Sequence, residues 1–460
     1  MKKKKQGFNY KLPLIALVVI VAGVSIVYAA QRWAYVTQTP PEVQEPLKQK
    51  ITGDPPPPPG KPEEIFGQYI VVLKDSVTDP EKTIDDIAAS NGLGLSHRYK
   101  SALRGFSAII PSGKLGVIKL DPRVAYISVD AKVSIFQTTE FPSPARVNPN
   151  RGGRKQTQQL PTGINRINAE NKTNKGADVN VAVIDTGIDL SHPDLQANIV
   201  GGINCADGTS YNDGNGHGTH VAGTIAAIEN SVGAVGVAPQ AKLWAVRVLD
   251  NNGNGSWSSV ICGIDFVTSK APLNGGSIKV ANMSLGGNGN SDNNCGYSNG
   301  DPMHTAVCKA RDAGVTFVVA AGNSNADASL FAPAAYDDAV IAVSALADSD
   351  GNSNGTGGST NYGPDDTFAA FSNYGSIVDV GAPGVNIYST WKQNSYNTIS
   401  GTSMASPHVA GAAALYIATH PMAGWIEVRD FLKSFGESSG SGHTDPSGLH
   451  SEPVVRVDAL

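Results

Sequence analysis

Residues 178–187 read Asp-Val-Asn-Val-Ala-Val-Ile-Asp-Thr-Gly. Six uncharged residues, mostly small or β-branched, run up to Asp185 and a following glycine. That pattern predicts a short strand buried on both faces. Similar runs recur at 242–249, 279–284, 315–320 and 339–343, with helical stretches between them at 218–229, 258–269 and 303–313. Short buried strands alternating with helices predict βαβ units: an α/β fold with a mainly parallel sheet and helices on both faces. Active groups in such sheets sit on loops beyond the carboxyl ends of the strands. The residues just after each run are therefore where chemistry is to be sought.

The chain is 460 residues long, room for two to four units at about 100–200 residues each. Charged residues make up 16%, against about 25% in an average globular protein. Glycine numbers 51, and hydrophobic residues are 40%. This excludes a coiled coil, a collagen and a largely disordered chain. A net charge of −5 gives no general affinity for nucleic acid. Low charge with abundant Gly, Asn and Ser suits a loop-rich exported protein. Cys205, Cys262, Cys295 and Cys308 permit two disulfides in three pairings, among which sequence alone does not choose.

At the amino end, Lys2, Lys3, Lys4, Lys5 and Lys11 precede an uncharged apolar run over 12–30. This is a signal peptide or signal anchor, with cleavage after Ala29 or Ala30 expected and permanent anchoring the alternative. Either way the lysines stay inside and the rest lies outside the cytoplasm. Residues 31–64 form a proline-rich linker with the run Pro55 to Pro59, an extended spacer. From 65 to 137 the texture becomes that of a small α+β unit, with strands expected at 68–73, 106–110 and 124–129 and helices at 80–91 and 115–120. Residues 138–158 read as an exposed, cleavable linker with the basic stretch Arg151 to Lys155. The large domain follows, over 159–460, and its segment Pro453 to Val457 reads as a last strand with no further module appended.

Three polar residues fall at predicted element ends. Asp185 closes the first strand, His217 stands at the mouth of a glycine-flanked helix, and Ser403 opens a helix of small residues. Each has an ordinary structural use: a turn acid, a capping histidine, a serine N-cap. A zinc site from His217 and His220 lacks a third ligand. Together, however, the three make a chemical set. A serine is a weak nucleophile until a histidine takes its proton, and that histidine needs a carboxylate to fix its tautomer. The helix N-terminus at Ser403 adds an N–H and a positive dipole end for a developing oxyanion.

The blocks VIDTGID (183–189), GHGTHVAGTIAA (216–227), VANMSLGG (280–287), VVAAGN (318–323) and GTSMASPHVAGAAAL (401–415) resemble, in order, those of the subtilisin-like (subtilase) serine peptidases. The chain order Asp, His, Ser is also that of subtilisin. The resemblance implies Asp185 as orienting acid, His217 as general base, Ser403 as nucleophile and Asn323 as side-chain oxyanion donor. It implies that Ser284-Leu285-Gly286 and Gly253-Asn254-Gly255 pair with an extended peptide by backbone hydrogen bonds. Gly286 with Ala320 to Gly322 would line the pocket for the residue before the cut. Trp257, Leu249 and Val260 would wall a deeper apolar subsite. Ser324 stands where some relatives carry an acid, so the specificity expected is broad and apolar rather than basic.

The same resemblance implies structural Ca2+ held by Asp194, Asn230 and the carbonyls of Ile228, Val232 and Ala234, an oxygen-only set suited to that ion. It makes 65–137 an inhibitory and chaperoning propeptide, so the chain's own segment joins protein and peptide substrates as a partner. No nucleic-acid partner is expected, membrane contact only through an uncleaved N-terminal segment, and a monomer otherwise. Relatives often have fewer cysteines. Here Cys295 and Cys308 flank a short loop after the substrate strand and could close it, which would leave Cys205 with Cys262. Asp348 to Gly355 alternates Asp and Asn like a calcium loop but lacks the bidentate glutamate of an EF-hand, and reads rather as a flexible surface loop.

Overall fold

The computed structural model describes residues 60–136 and 157–460. The expected signal segment, most of the proline-rich linker and nearly all of the linker at 138–158 lie outside the described residues. Among the described residues no helix is long and apolar enough to cross a membrane.

Residues 60–136 contain β1 (Glu64–Leu73), α1 (Pro80–Asn91), β2 (Leu95–Tyr99), β3 (Gly105–Ile109), α2 (Ser112–Lys119) and β4 (Val124–Ile135). Local chemistry sets these limits. Asp79 caps α1 by accepting from the Lys82 N–H at 3.0 Å, Pro80 fits the first turn, and Gly92 ends the helix at φ 66°. The expected strands and helices are present, and β2 is an additional one: Leu-Ser-His-Arg-Tyr has too few apolar residues to announce itself.

The large part contains α3 (Thr162–Arg166), β5 (Asn180–Asp185), β6 (Ile199–Asn204), α4 (His217–Ala226), β7 (Lys242–Arg247), β8 (Asn254–Ser256), α5 (Trp257–Ser269), β9 (Ile278–Met283), β10 (Leu285–Asn288) and α6 (Pro302–Asp312). It continues with β11 (Thr316–Ala320), β12 (Phe331–Ala332), β13 (Val340–Ala347), β14 (Thr367–Phe368), β15 (Val380–Pro383), β16 (Ile387–Trp391), β17 (Ser395–Ile399), α7 (Thr402–Thr419) and α8 (Trp425–Phe435). Eight strands form a sheet in the order β14-β13-β11-β9-β5-β7-β6, with β15 also beside β13; every pairing is parallel except β13 with β14.

Why helices cover both faces is visible in β5. Val181 and Val183 belong to one buried cluster, shared with Val221 and Ile225 of α4, Val409 of α7 and Val428 of α8. Ala182 and Ile184 belong to another, shared with Val260 and Ile264 of α5 and Met303 of α6. Alternate side chains point to opposite faces of a strand, so an unbroken apolar run needs partners on both.

A second, antiparallel sheet is built from both parts of the chain, in the order β12-β10-β4-β1-β3-β2, with β8 also paired to β4. Its strand β4 therefore runs between β8 and β10 of the large part. The expected last strand at 453–457 is reduced to single bridges from Val454 to Gly381 and to Glu437. Disulfides join Cys205 to Cys262 and Cys295 to Cys308, the former tying the end of β6 to α5.

Candidate active site

Asp185 ends β5 and is fully buried; His217 is the first residue of α4. Nδ1 of His217 lies 2.8 Å from Oδ1 and 3.0 Å from Oδ2 of Asp185, and the Thr186 N–H donates to Oδ1 at 2.7 Å. The helix can come this close because residue 218 is glycine: a Cβ there would strike the Gly187 carbonyl and stand 3.1 Å from the Asp185 carboxylate. Asp213, which the sequence did not single out, organises the loop before α4. It accepts from the N–H groups of Asn215, Gly216 and Thr219 and from the Thr186 and Thr219 hydroxyls. Burial raises its carboxyl above the ordinary carboxylate range, and those donors offset part of that effect.

Ser403 lies in the first turn of α7 and is fully buried. Its hydroxyl donates to the Ser284 carbonyl at 3.1 Å, while Nε2 of His217 has no hydrogen-bond partner among the described residues. Asp185 and His217 are thus in direct contact, and the serine hydroxyl is turned towards β10. The start of α7 is fixed to the sheet by the Ser284 hydroxyl donating to the Ser403 carbonyl at 2.9 Å and by Ser406 donating to Asn282 at 2.8 Å. Neighbouring histidines are neutral: burial depresses His220 to about 3 and His408 to about 4.

Asn323 follows β11. Its Oδ1 accepts from the N–H of Thr402 at 2.9 Å and its hydroxyl at 2.8 Å, which fixes the orientation of the amide. That Nδ2 donates to the carbonyl oxygen of Phe136 at 3.0 Å. Phe136 sits at the end of β4, whose residues Ser134 and Ile135 pair with Gly286 and Leu285, and whose Lys132, Val133 and Ser134 pair with Ser256, Gly255 and Asn254. The Ile135 N–H also donates to the Gly253 carbonyl at 2.9 Å. Two glycines receive the Phe136 ring: a Cβ on Gly286 would stand 2.5 Å from it, and one on Gly322 3.6 Å. Val133 and Ile135 share a buried cluster with Leu249, Trp257, Val260 and Leu285. Ala320 is buried at the end of β11.

The residues named for calcium converge on one loop. Asp194 is fully buried; its Oδ1 accepts from the Asn230 amide at 3.0 Å and its Oδ2 from the Ala234 N–H at 3.0 Å and the Tyr396 hydroxyl at 2.7 Å. The Val232 N–H donates to Asn230 Oδ1 at 2.7 Å. The carbonyls of Ile228 and Ala234 both lie 3.0 Å from the side-chain amide of Gln158, while the Gln158 N–H donates to Ser231. Gln158, at the end of the expected linker, has its backbone pinned to this loop, a placement that only the fold reveals. A buried carboxylate with converging amide and carbonyl oxygens is the donor set a hard cation takes.

Residues 176–445 match the model of the subtilase family. The chain is 43% identical over 299 residues to subtilisin DY of Bacillus licheniformis, covering 64% of this chain and 97% of that protein. It is 37% identical over 382 residues to subtilisin E of Bacillus subtilis, covering 78% and 91% of the two chains. A cold-adapted subtilisin-like serine proteinase of known crystal structure superimposes with a TM-score of 0.53 at 34% identity, covering 64% of this chain and 97% of its own. With this sheet, these helices and these relatives, the chain belongs to the subtilase family and is a serine endopeptidase of the subtilisin type.

Proposed function

We propose that this peptidase is made as a self-inhibited precursor and that its first substrate is its own Phe136–Gln137 bond. One observation carries the reading. The Phe136 carbonyl accepts from Asn323, its ring rests on Gly286 and Gly322, and β4 threads the groove between β8 and β10. That is the pose of a peptide whose scissile carbonyl is already in an oxyanion site. The maturation cut then falls at the boundary of the 65–137 unit and not within 138–158.

In this reading Ser403 Oγ attacks the Phe136 carbonyl carbon while His217 Nε2 takes its proton, and Asp185 stabilises the imidazolium so formed. The tetrahedral oxyanion is held by Asn323 and the N–H at the start of α7. His217 returns the proton to the departing Gln137 amine, and water then releases the Phe136 acid by the reverse roles. Removing one oxyanion donor costs about 10²–10³ in turnover, a value known from subtilisin itself. The pocket under Gly286 and Gly322 suits an aromatic or other large apolar residue before the cut, and Val133 stands for the residue filling the deeper apolar subsite.

Subtilisins generally bind structural calcium. Here Asp194, Asn230 and the carbonyls of Ile228, Val232 and Ala234 would hold it, with Gln158 joining them. The ion would supply stability, pinning the 228–234 loop to Asp194, rather than chemistry. The lysine-led apolar start and the family's extracellular habit support export, with peptide substrates outside the cell.

Purified Ser403→Ala protein tests the proposal. It should remain full length apart from signal removal, whereas the active chain should yield a new terminus at Gln137 by amino-terminal sequencing. A normally trimmed alanine variant, or a first cut elsewhere, would overturn it.

A further inference from the structure

The segment between β13 and β14 reads as a polar surface loop, yet its acids are buried. Asp348 is 2% exposed and Asp365 6%, with Asp350 half-buried. One carboxylate oxygen from each lies within 4.8 Å of the others. We propose that Asp348, Asp350 and Asp365 form a second cation site, distinct from the Asp194 loop, that takes a hard divalent ion of the calcium class.

The oxygen that points to a ligand is Oδ2 of Asp348, which is buried without a hydrogen-bond partner among the described residues. Its other oxygen accepts from the Gly351 N–H at 2.9 Å. A buried carboxylate left unpartnered is costly, and several close together repel one another. Asp365 is held in place by the Ser349 N–H at 2.7 Å, the Ser349 hydroxyl at 2.9 Å and the Gly357 N–H at 2.7 Å. Asp350 accepts from Asn352 at 2.8 Å and lies 3.5 Å from the Thr356 hydroxyl.

Arg166 is the cation nearby, but its guanidinium is committed. Nε pairs with Asp366 at 2.7 Å and Nη2 with Glu437 at 2.7 Å. It therefore leaves the buried Asp348 oxygen with neither a partner nor solvent among the described residues. A divalent ion would neutralise the cluster. The ligands are all oxygens, and the loop between them is rich in Gly, Asn and Ser, which can lend carbonyls; that flexibility favours calcium over magnesium. The site would also pin the loop to α3, since the Asn165 amide donates to the Gly351 carbonyl at 2.8 Å.

The test uses the full chain with Ser403→Ala, which cannot digest itself, stripped of metal and titrated calorimetrically with CaCl2 and, separately, MgCl2. Asp350→Asn, at a half-exposed position with little risk to folding, should remove one calcium equivalent and leave the equivalent that depends on Asp194. Asp365→Asn should do the same. An unchanged stoichiometry and affinity in Asp350→Asn would overturn the site. So would an Asp348→Asn chain that melts higher than its parent without calcium while both gain equally from calcium, because the acid would then merely hold a proton. Preference for magnesium at the Asp350-dependent equivalent would overturn the calcium assignment.

Discussion

The two sheets differ in who completes them. Every strand of the eight-stranded sheet comes from one continuous part of the chain, and its central members are buried on both faces, all residues of β11 and β13 being inaccessible, while the edge strand β6 is partly accessible. The seven-stranded sheet takes β1 to β4 from residues before the proposed cut and β8, β10 and β12 from residues after it. Its central strand β4 is mixed, with a partly accessible stretch over 125–129 and buried residues at Asp130, Ala131, Val133 and Ile135. One sheet lies wholly within the large part, and the other, under the proposed processing, is an interface held in one chain only until the Phe136–Gln137 bond is broken. After that, the first segment stays by affinity alone, without the high effective concentration a tether provides.

If this contrast is right, damage to the first sheet should cost folding and damage to the second should cost inhibition. The largest loss is expected for Phe317→Ala in β11, a wholly buried ring, at about 3–5 kcal/mol. A urea midpoint close to that of the parent Ser403→Ala chain would contradict the view of that sheet as core. Removing calcium comes next: at hundredfold saturation a native-state ligand contributes about 2.7 kcal/mol. Chelation should lower the melting temperature, and Asp194→Ala should take away most of that sensitivity; a curve unmoved by chelator after exhaustive dialysis would speak against the Asp194 site.

Smaller again is Val133→Ala in β4, 3% exposed. Losing two buried carbons at about 0.8 kcal/mol each should weaken retention of the cut segment about tenfold. The melting of the large part should stay as it was, and the readout is the lag before activity appears.

The mildest effect is a pH dependence of that lag. Asp265 of α5 accepts from the N–H groups of Lys100, Ser101 and Ala102, and Asp130 accepts from the Ser258 N–H at 3.0 Å at the start of the same helix. Burial raises both carboxyls in the docked state above a free value of about 4. The docked form then binds protons the free form has released. Docking is strongest below the free value and weakens as pH rises through the raised ones. Precursor incubated at graded pH and assayed at a single pH should release its first segment faster on the alkaline side. Asp130→Asn should flatten that trend, and a lag independent of pH in the parent would refute the mechanism.

The eight-stranded sheet was largely legible in the sequence because both its faces are apolar, so strands such as β5 and β11 appear as unbroken runs. The positions of Asp185, His217 and Ser403 were legible for a related reason: tight backbone approach demands glycine and alanine around them, and such clusters are conspicuous. What the sequence does not show depends on distant partners. Phe136 carries no local mark of a cleavage point, and its meaning comes from Gly286, Gly322 and Asn323. Gln158 matters only because the chain returns it to the 228–234 loop. The burial of Asp348 was hidden by Gly, Asn and Ser neighbours, whose composition says surface although α3 and the Arg166 network cover it.

Thr402 ties Asn323 to the turn that carries Ser403. Its N–H and hydroxyl grip the Asn323 oxygen, and Ser403 is the next residue along the same turn. A displacement of that turn therefore carries both groups the same way. In the proposed mechanism, errors in their placement are common-mode, and the spacing between the Ser403 oxygen and the Asn323 amide is kept when the turn shifts. Sensitivity is transferred to whatever disturbs one without the other, which singles out the Thr402 hydroxyl as the small group on which alignment turns.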